Sequence, residues 1–208
     1  MARIRSDERN YQVPVGLDGV VTRITPTNAA LTAHLHGRFY EMSRMGNLFY
    51  VANQAATATS ISVSTTHTGL ALYNPVGNNK DIVLEAVGFA TNLAYVALSS
   101  VGLQGHYVST GAITAHTTPC VLGTNMGPLN LGSANAPTAL TDFAATIVAP
   151  KILMMLGAAA IATAVSNGQW GIVDIGGAIR LQPGAYVASY TLTALSCTFS
   201  FWWSEEPR

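Results

Sequence analysis

Five histidines, two cysteines and ten carboxylates are the side chains of this 208-residue sequence with the most chemistry to offer. His34 and His36 stand two apart, which on a strand puts both imidazoles on one face and begins a metal site, with Glu41 as a third donor. No further ligand follows nearby, so structural or surface histidines are expected. His116 precedes Cys120 by four residues in HTTPC, and His106 falls in a neighbouring predicted strand. A cysteine nucleophile with a histidine base also needs an orienting group and an oxyanion site. Neither can be named, and Pro119 beside a buried thiol suits a turn. Asp81, Glu85, Asp142 and Asp174 are the only carboxylates between Glu41 and Glu205, so a glycosidase pair must come from these four, Asp142 with Asp174 among them. Lys80 follows Gly77-Asn78-Asn79 without the glycine and Ser/Thr positions of a phosphate loop, and marks a hairpin tip. Asp174-Ile175-Gly176-Gly177 reads as a tight turn with too few oxygen ligands for calcium. The expectation is no catalytic residue, no metal, no cofactor and no enzyme.

The elements around these residues are charge-poor. Charged residues are 10% of the chain, against roughly 25% in ordinary globular proteins. Ala and Thr together make up about a quarter, and no Asp, Glu, Lys or Arg occurs from Ala86 to Thr141. That stretch is too long for one buried element, so much of it should face something other than water. A membrane helix needs about 20 apolar residues. The best candidate, Ile152 to Val165, has 14 and follows Pro150 and Lys151. An outer-membrane barrel should show strands of about 10 residues at regular turn spacing, and that regularity is missing. The chain is therefore expected not to enter a membrane. The N-terminal MARIRSDERNYQV carries no apolar leader, which implies synthesis in the cytoplasm and reduced thiols at Cys120 and Cys197. Ten basic and ten acidic residues leave no net charge, which argues against a specific nucleic-acid partner. Arg3, Arg5 and Arg9 form a small basic cluster offset by Asp7 and Glu8, read as a solvated arm and a possible interaction surface.

Ten charged residues fall in the first 44 positions and seven in the next 160, which marks residues 1–45 as an arm or linker and 46–208 as the folded domain. Short strands are predicted at Leu48–Ala52, Ile61–Thr65, Leu70–Tyr73, Ile82–Phe89, Leu93–Leu98, His106–Thr110, Ile113–Thr117, Ile179–Leu181, Tyr186–Ala194 and Thr198–Trp203. Asn74-Pro75-Val76-Gly77-Asn78-Asn79 predicts a hairpin. Thr141 to Ala164 leans to strand over helix, and Met126 to Ala139 is a Gly, Pro and Asn loop suited to binding or assembly. In the last strand Cys197, Phe199, Phe201 and Trp203 alternate with Thr198, Ser200 and Trp202, and the strand is expected to stop at Glu205-Glu206-Pro207. Large aromatics at a chain end are usually core, while a Trp202–Trp203 pair offers the alternative of a carbohydrate groove. With no internal repeat, propellers and solenoids are disfavoured. The expected fold is all-β, a jelly-roll-like antiparallel β-sandwich with an extended N-terminal arm.

Five segments also carry a resemblance: HGRFYE (His36 to Glu41), GNLFYVANQAA (Gly46 to Ala56), TGLALYNPVGNNKDIVLEAVGFA (Thr68 to Ala90), LQPGAYVASYTLTA (Leu181 to Ala194) and FSFWWSEEP (Phe199 to Pro207). In these the chain resembles virion structural proteins of tailed bacteriophages and their prophages. The resemblance implies a small β-rich component of the particle and supplies no catalytic residues. Combined with the scarcity of charge, it predicts a homotrimer or lattice-bound subunit of the virion, a head decoration, cement or minor capsid protein whose partners are copies of itself and the major capsid protein. The alternative is a tail- or fibre-associated receptor-binding module, with Trp202, Trp203 and the Met126 to Ala139 loop as its surface.

Overall fold

The computed structural model describes residues 12–15, 20–24, 30–32, 39–53, 57–59, 63–91, 99–159, 170–193 and 195–208, and nearly all of them are in or between β-strands. The chain forms two compact units, Met1–Glu41 and Met42–Arg208. In the first, β1 (Gln12–Val15), β2 (Val20–Ile24) and β3 (Ala30–Thr32) make a three-stranded antiparallel meander. The stretch expected as an arm thus contains a small sheet. One short helix, α1 (Tyr40–Arg44), follows.

The second unit holds β4 (Leu48–Ala52), β5 (Thr57–Thr59), β6 (Thr66–Tyr73), β7 (Lys80–Thr91), β8 (Ser99–Tyr107), β9 (Ile113–Pro119), β10 (Met126–Pro128), β11 (Leu140–Ile147), β12 (Lys151–Ala159), β13 (Trp170–Leu181), β14 (Ala185–Thr191) and β15 (Leu195–Pro207). They build two antiparallel sheets. The first runs β10-β4-β15-β7-β13, with β5 also on β15, and the second runs β12-β8-β14-β6-β11-β9. Four pairings are nested in sequence: β4 with β15, β6 with β14, β7 with β13, and β8 with β12. The pairs β15·β7 and β14·β8 join them within each sheet, and β9 to β11 are inserted in the innermost connection.

Period-two patterning explains why these segments are strands. Along β15 the side chains of Cys197, Phe199, Phe201 and Trp203 are buried while Thr198, Ser200 and Trp202 stay half-exposed. The buried row meets Phe49, Val51 and Val87 of its own sheet and Leu70, Leu72, Leu103 and Val187 of the other in one apolar core. Strand β14 is buried on both faces. Val187 enters that core, whereas Tyr186 and Ala188 join Ala71, Tyr73, Ala145 and Ile147 in a second cluster on the opposite face.

Several expectations need correction. Asn74 to Asn79 does reverse the chain, with Asn78 N–H donating to Pro75 O at 3.1 Å. It is not a hairpin, because β6 and β7 lie in different sheets. The Asn74 amide donates to Lys80 O (3.0 Å) and Leu181 O (2.8 Å), and Gly184 N–H donates to Asn74 O. These bonds tie the crossing to a second one between β13 and β14. Val63 to Thr65 is bend, with β6 starting at Thr66, and residues 61–62 and 93–98 lie outside the described residues. Val108 to Thr110 turns, closed by Gly111 N–H to Val108 O. Met126 to Pro128 is strand rather than loop. The Glu205-Glu206-Pro207 stop is not a stop, since Glu205, Glu206 and Pro207 pair with Ile82, Asp81 and Lys80. Thr141 to Ile147 and Lys151 to Ala159 are strand, in β11 and β12, as the β-branched residues and the break at Pro150 implied, and residues 160–164 lie outside the described residues.

Candidate interaction surface

The fold brings together one pair of chemistry-bearing residues that the sequence kept apart. His116 Nδ1 lies 2.7 Å from Asp142 Oδ2, across β9 and β11. Asp142 is fully buried, and burial raises its carboxyl above the usual range against the pull of His116. Tyr73 presents its ring to the imidazole, centroids 5.9 Å apart. Cys120 does not complete a catalytic set, because burial pushes its thiol up to about 11 and it therefore stays protonated. The pair pins the end strand β9 to its neighbour.

Other candidates disperse. Asp81 is held by Arg180 (2.5 Å) and Arg208 (3.3 Å), and Glu85 accepts from Ser204 Oγ at 2.9 Å. Asp142 and Asp174 sit on strands of different sheets. Lys80 pairs with Glu205 at 3.0 Å. Gly176 and Gly177, with φ of 64° and 75°, form a bulge inside β13 instead of a turn before a new strand. No group of three metal-ligating side chains occurs among the described residues. His34, His36, Arg3, Arg5 and Arg9 lie outside the described residues.

His67, a buried histidine that no sequence motif singled out, is the more consequential titrating group. Gln104 Nε2 donates to Ser189 O at 3.2 Å, which fixes the amide's orientation, so His67 Nδ1 at 3.2 Å from the same nitrogen must accept. The ring is therefore neutral, and burial holds its pKa down to about 4. Because the folded value lies below the unfolded 6.5, the unfolded chain binds the extra proton first. Stability is full above about pH 6.5 and falls as pH drops toward 4. Urea unfolding at pH 7 and pH 4.5 is expected to differ by roughly 2–3 kcal/mol from this residue. In His67→Gln that part of the difference should vanish, and an unchanged pH dependence would show that His67 does not carry it.

The two C-terminal tryptophans part company. Trp203 is fully buried and stacks on Phe49 at 5.9 Å, so it belongs to the core and offers no surface. Trp202, on the other face of β15, is half-exposed. The Met126 to Ala139 stretch beyond β10 is tethered by Leu129 N–H to Leu48 O and by the Asn135 amide to Met45 O and Gly46 O, and Leu131 stands out at its tip. No family model matches this chain, and no curated protein or solved structure matches it. What it presents to partners is therefore read from its exposed apolar side chains.

Two such sets lie on end strands. On β12, Ile152, Leu153 and Met155 are 45, 48 and 51% exposed, and Lys151 is the strand's one charge. On β13, Trp170 is 81% and Ile172 70% exposed. Trp170 and Ile172 border a groove of about 260 Å³ on the outer face of the first sheet. Its floor follows from register: Ile172, Gly88, Ser200 and Ala52 form one row across four strands, and Trp170, Ala90 and Thr198 form the next. Sequence reasoning missed Trp170 because it stands in a segment assigned to no strand.

Proposed function

We propose that this chain is a virion structural protein, a capsid decoration, cement or minor capsid subunit that stabilises the particle by associating with copies of itself and with the major capsid protein. The observation that carries this reading is β12. It ends its sheet, and among the described residues no strand pairs with its far side. Its apolar residues serve both faces: Met154 and Leu156 pack on the core, while Leu153 and Met155 lie over Gly105 and Gly102 of β8. A long apolar edge strand exposes unpaired backbone groups and seeks another strand, unless it is charged, bulged or covered. A single terminal lysine and two register shifts protect β12 weakly.

The fold reading that accompanies this is a jelly roll. Its support is the nested pairing of first strand with last, second with next to last, and so on inward, which winds one long double strand into two sheets. Symmetric self-association then gives the scarcity of charge a use. The receptor-binding alternative draws its support from the Trp170 groove.

Sedimentation of the purified chain, with and without Leu153→Lys and Met155→Lys, tests the reading, alongside cryo-electron microscopy of particles. A discrete oligomer, a trimer for preference, is expected for the native sequence, dissociating to the 21.8 kDa monomer in the double variant with its β-sheet circular dichroism intact. Density is expected over or between the capsomers. A native chain that stays monomeric at tens of micromolar, an oligomer indifferent to both lysines, or density confined to the tail would each overturn the proposal.

A further inference from the structure

We propose that the groove on the outer face of the first sheet is a binding site for a single neutral sugar ring, stacked on Trp170. The inference stands on the groove alone and holds whether or not the chain assembles through β12.

Three observations carry it. Trp170 keeps 81% of its surface in solvent although it borders a concavity. An indole in that position offers a flat apolar face with a polar edge, which suits the C–H face of a pyranose. Next, the floor is built low. Gly88 has no side chain, and a Cβ there would come within 2.5 Å of Ser200 Oγ. With Ala52 and Ala90 beside it, a ring can therefore settle onto the sheet. Finally, the charge of the lining selects the ligand. None of the residues that line the groove, Trp170, Thr198 and Ser200 among them, is ionisable.

The polar groups available are those of a polyol site. Thr198 Oγ1 donates to Ala90 O at 3.4 Å and keeps its lone pairs for a ligand hydroxyl, and Ser200 Oγ stands in the adjacent row. The Asn53 side chain is already engaged, donating to Cys197 O and accepting from Phe199 N–H. It fixes the end of the groove instead of the ligand. An anionic or cationic ligand would lose water here and meet no counter-charge, whereas a neutral sugar exchanges hydroxyl–water bonds for hydroxyl–hydroxyl bonds and buries its apolar face. Size points the same way. The volume falls just below the range of about 300–1,000 Å³ for drug-sized ligands, and a protein partner needs an interface of about 1,000 Å² or more.

Saturation-transfer NMR with methyl β-galactoside, methyl β-glucoside and methyl N-acetyl-β-glucosaminide as probes, and glucuronate as the charged comparison, tests the site on the full chain. Transfer to the ring C–H protons of at least one neutral probe is expected, with a dissociation constant on the order of 1 mM for so small a ligand. Trp170→Ala should weaken it about five- to tenfold, Trp170→Phe should restore part of the loss, and Val76→Ala, exposed in the turn between β6 and β7, should leave it unchanged. Absence of transfer to every neutral probe, equal transfer to glucuronate, or binding that survives Trp170→Ala intact would overturn the assignment.

Discussion

Replacing Trp203 by alanine is expected to lower folding stability by roughly 3–5 kcal/mol, the range for removing a large buried aromatic. The indole has no exposed surface and stacks on Phe49 with 30° between the rings. It also sits on β15, which pairs with β4, β5 and β7, so a cavity there loosens the middle of the first sheet. Domains of this kind hold about 5–15 kcal/mol in total. Urea midpoints should therefore fall by a large fraction of the native value. Trp203→Phe should be much milder, because phenylalanine keeps the stack and removes an indole N–H that has no hydrogen-bond partner. Trp202→Ala, one residue away on the half-exposed face, should lose well under half as much. Equal losses from Trp202→Ala and Trp203→Ala would contradict the assignment of the two rings to opposite faces.

That contrast was legible in the sequence, because a strand has period two and neighbouring side chains must point opposite ways. Strand composition likewise identified β4 to the residue and placed a strand over Tyr186 to Thr191 of β14. Turn chemistry was legible as well, but only as reversal. Asn74 to Asn79 says that the chain turns, while the bonds that send β7 to the other sheet come from Leu181, Gly184 and Ala185, over a hundred positions away. Loop residues do not encode such distant partners. The His116–Asp142 pair was hidden for a related reason. It spans 26 positions and depends on two strands whose register slips three times along their length. Trp170 was missed because Gly171, Gly176 and Gly177 dilute the alternation of β13, although Ile172, Asp174, Gly176 and Ala178 are all more exposed than the residues between them. The apolar exposure of β12 was foreshadowed only in bulk, as a chain with too little charge for its surface.

Glu205 tests how such long-range bonds act. Charge and a following proline suggested the end of a strand, yet the carboxylate is wholly buried and works as an acceptor. Thr138 N–H donates to Oε1 at 2.7 Å, Ala139 N–H to the same oxygen at 3.0 Å, Thr138 Oγ1 to Oε2 at 2.7 Å and Lys80 Nζ to Oε2 at 3.0 Å. The two amides are the decisive partners. Lys80 is a third exposed, so its ion pair is partly screened and contributes little. The Ala139 amide is buried and, without the carboxylate, becomes a buried donor with no acceptor, while the Thr138 amide is part-buried beside it. Glu205→Ala is therefore expected to lose roughly 3–5 kcal/mol, and Lys80→Met under about 1 kcal/mol. Glu205→Gln should fall between, because one amide oxygen still accepts while the NH₂ group faces donors. Hydrogen exchange gives the sharper readout. The Thr138 and Ala139 amides should lose protection in Glu205→Ala ahead of the β15 amides, since the carboxylate anchors residues 129–139 to the last strand. Retained protection at those two amides, or a Lys80→Met loss as large as that of Glu205→Ala, would mean that the ion pair and not the amide cradle holds the loop.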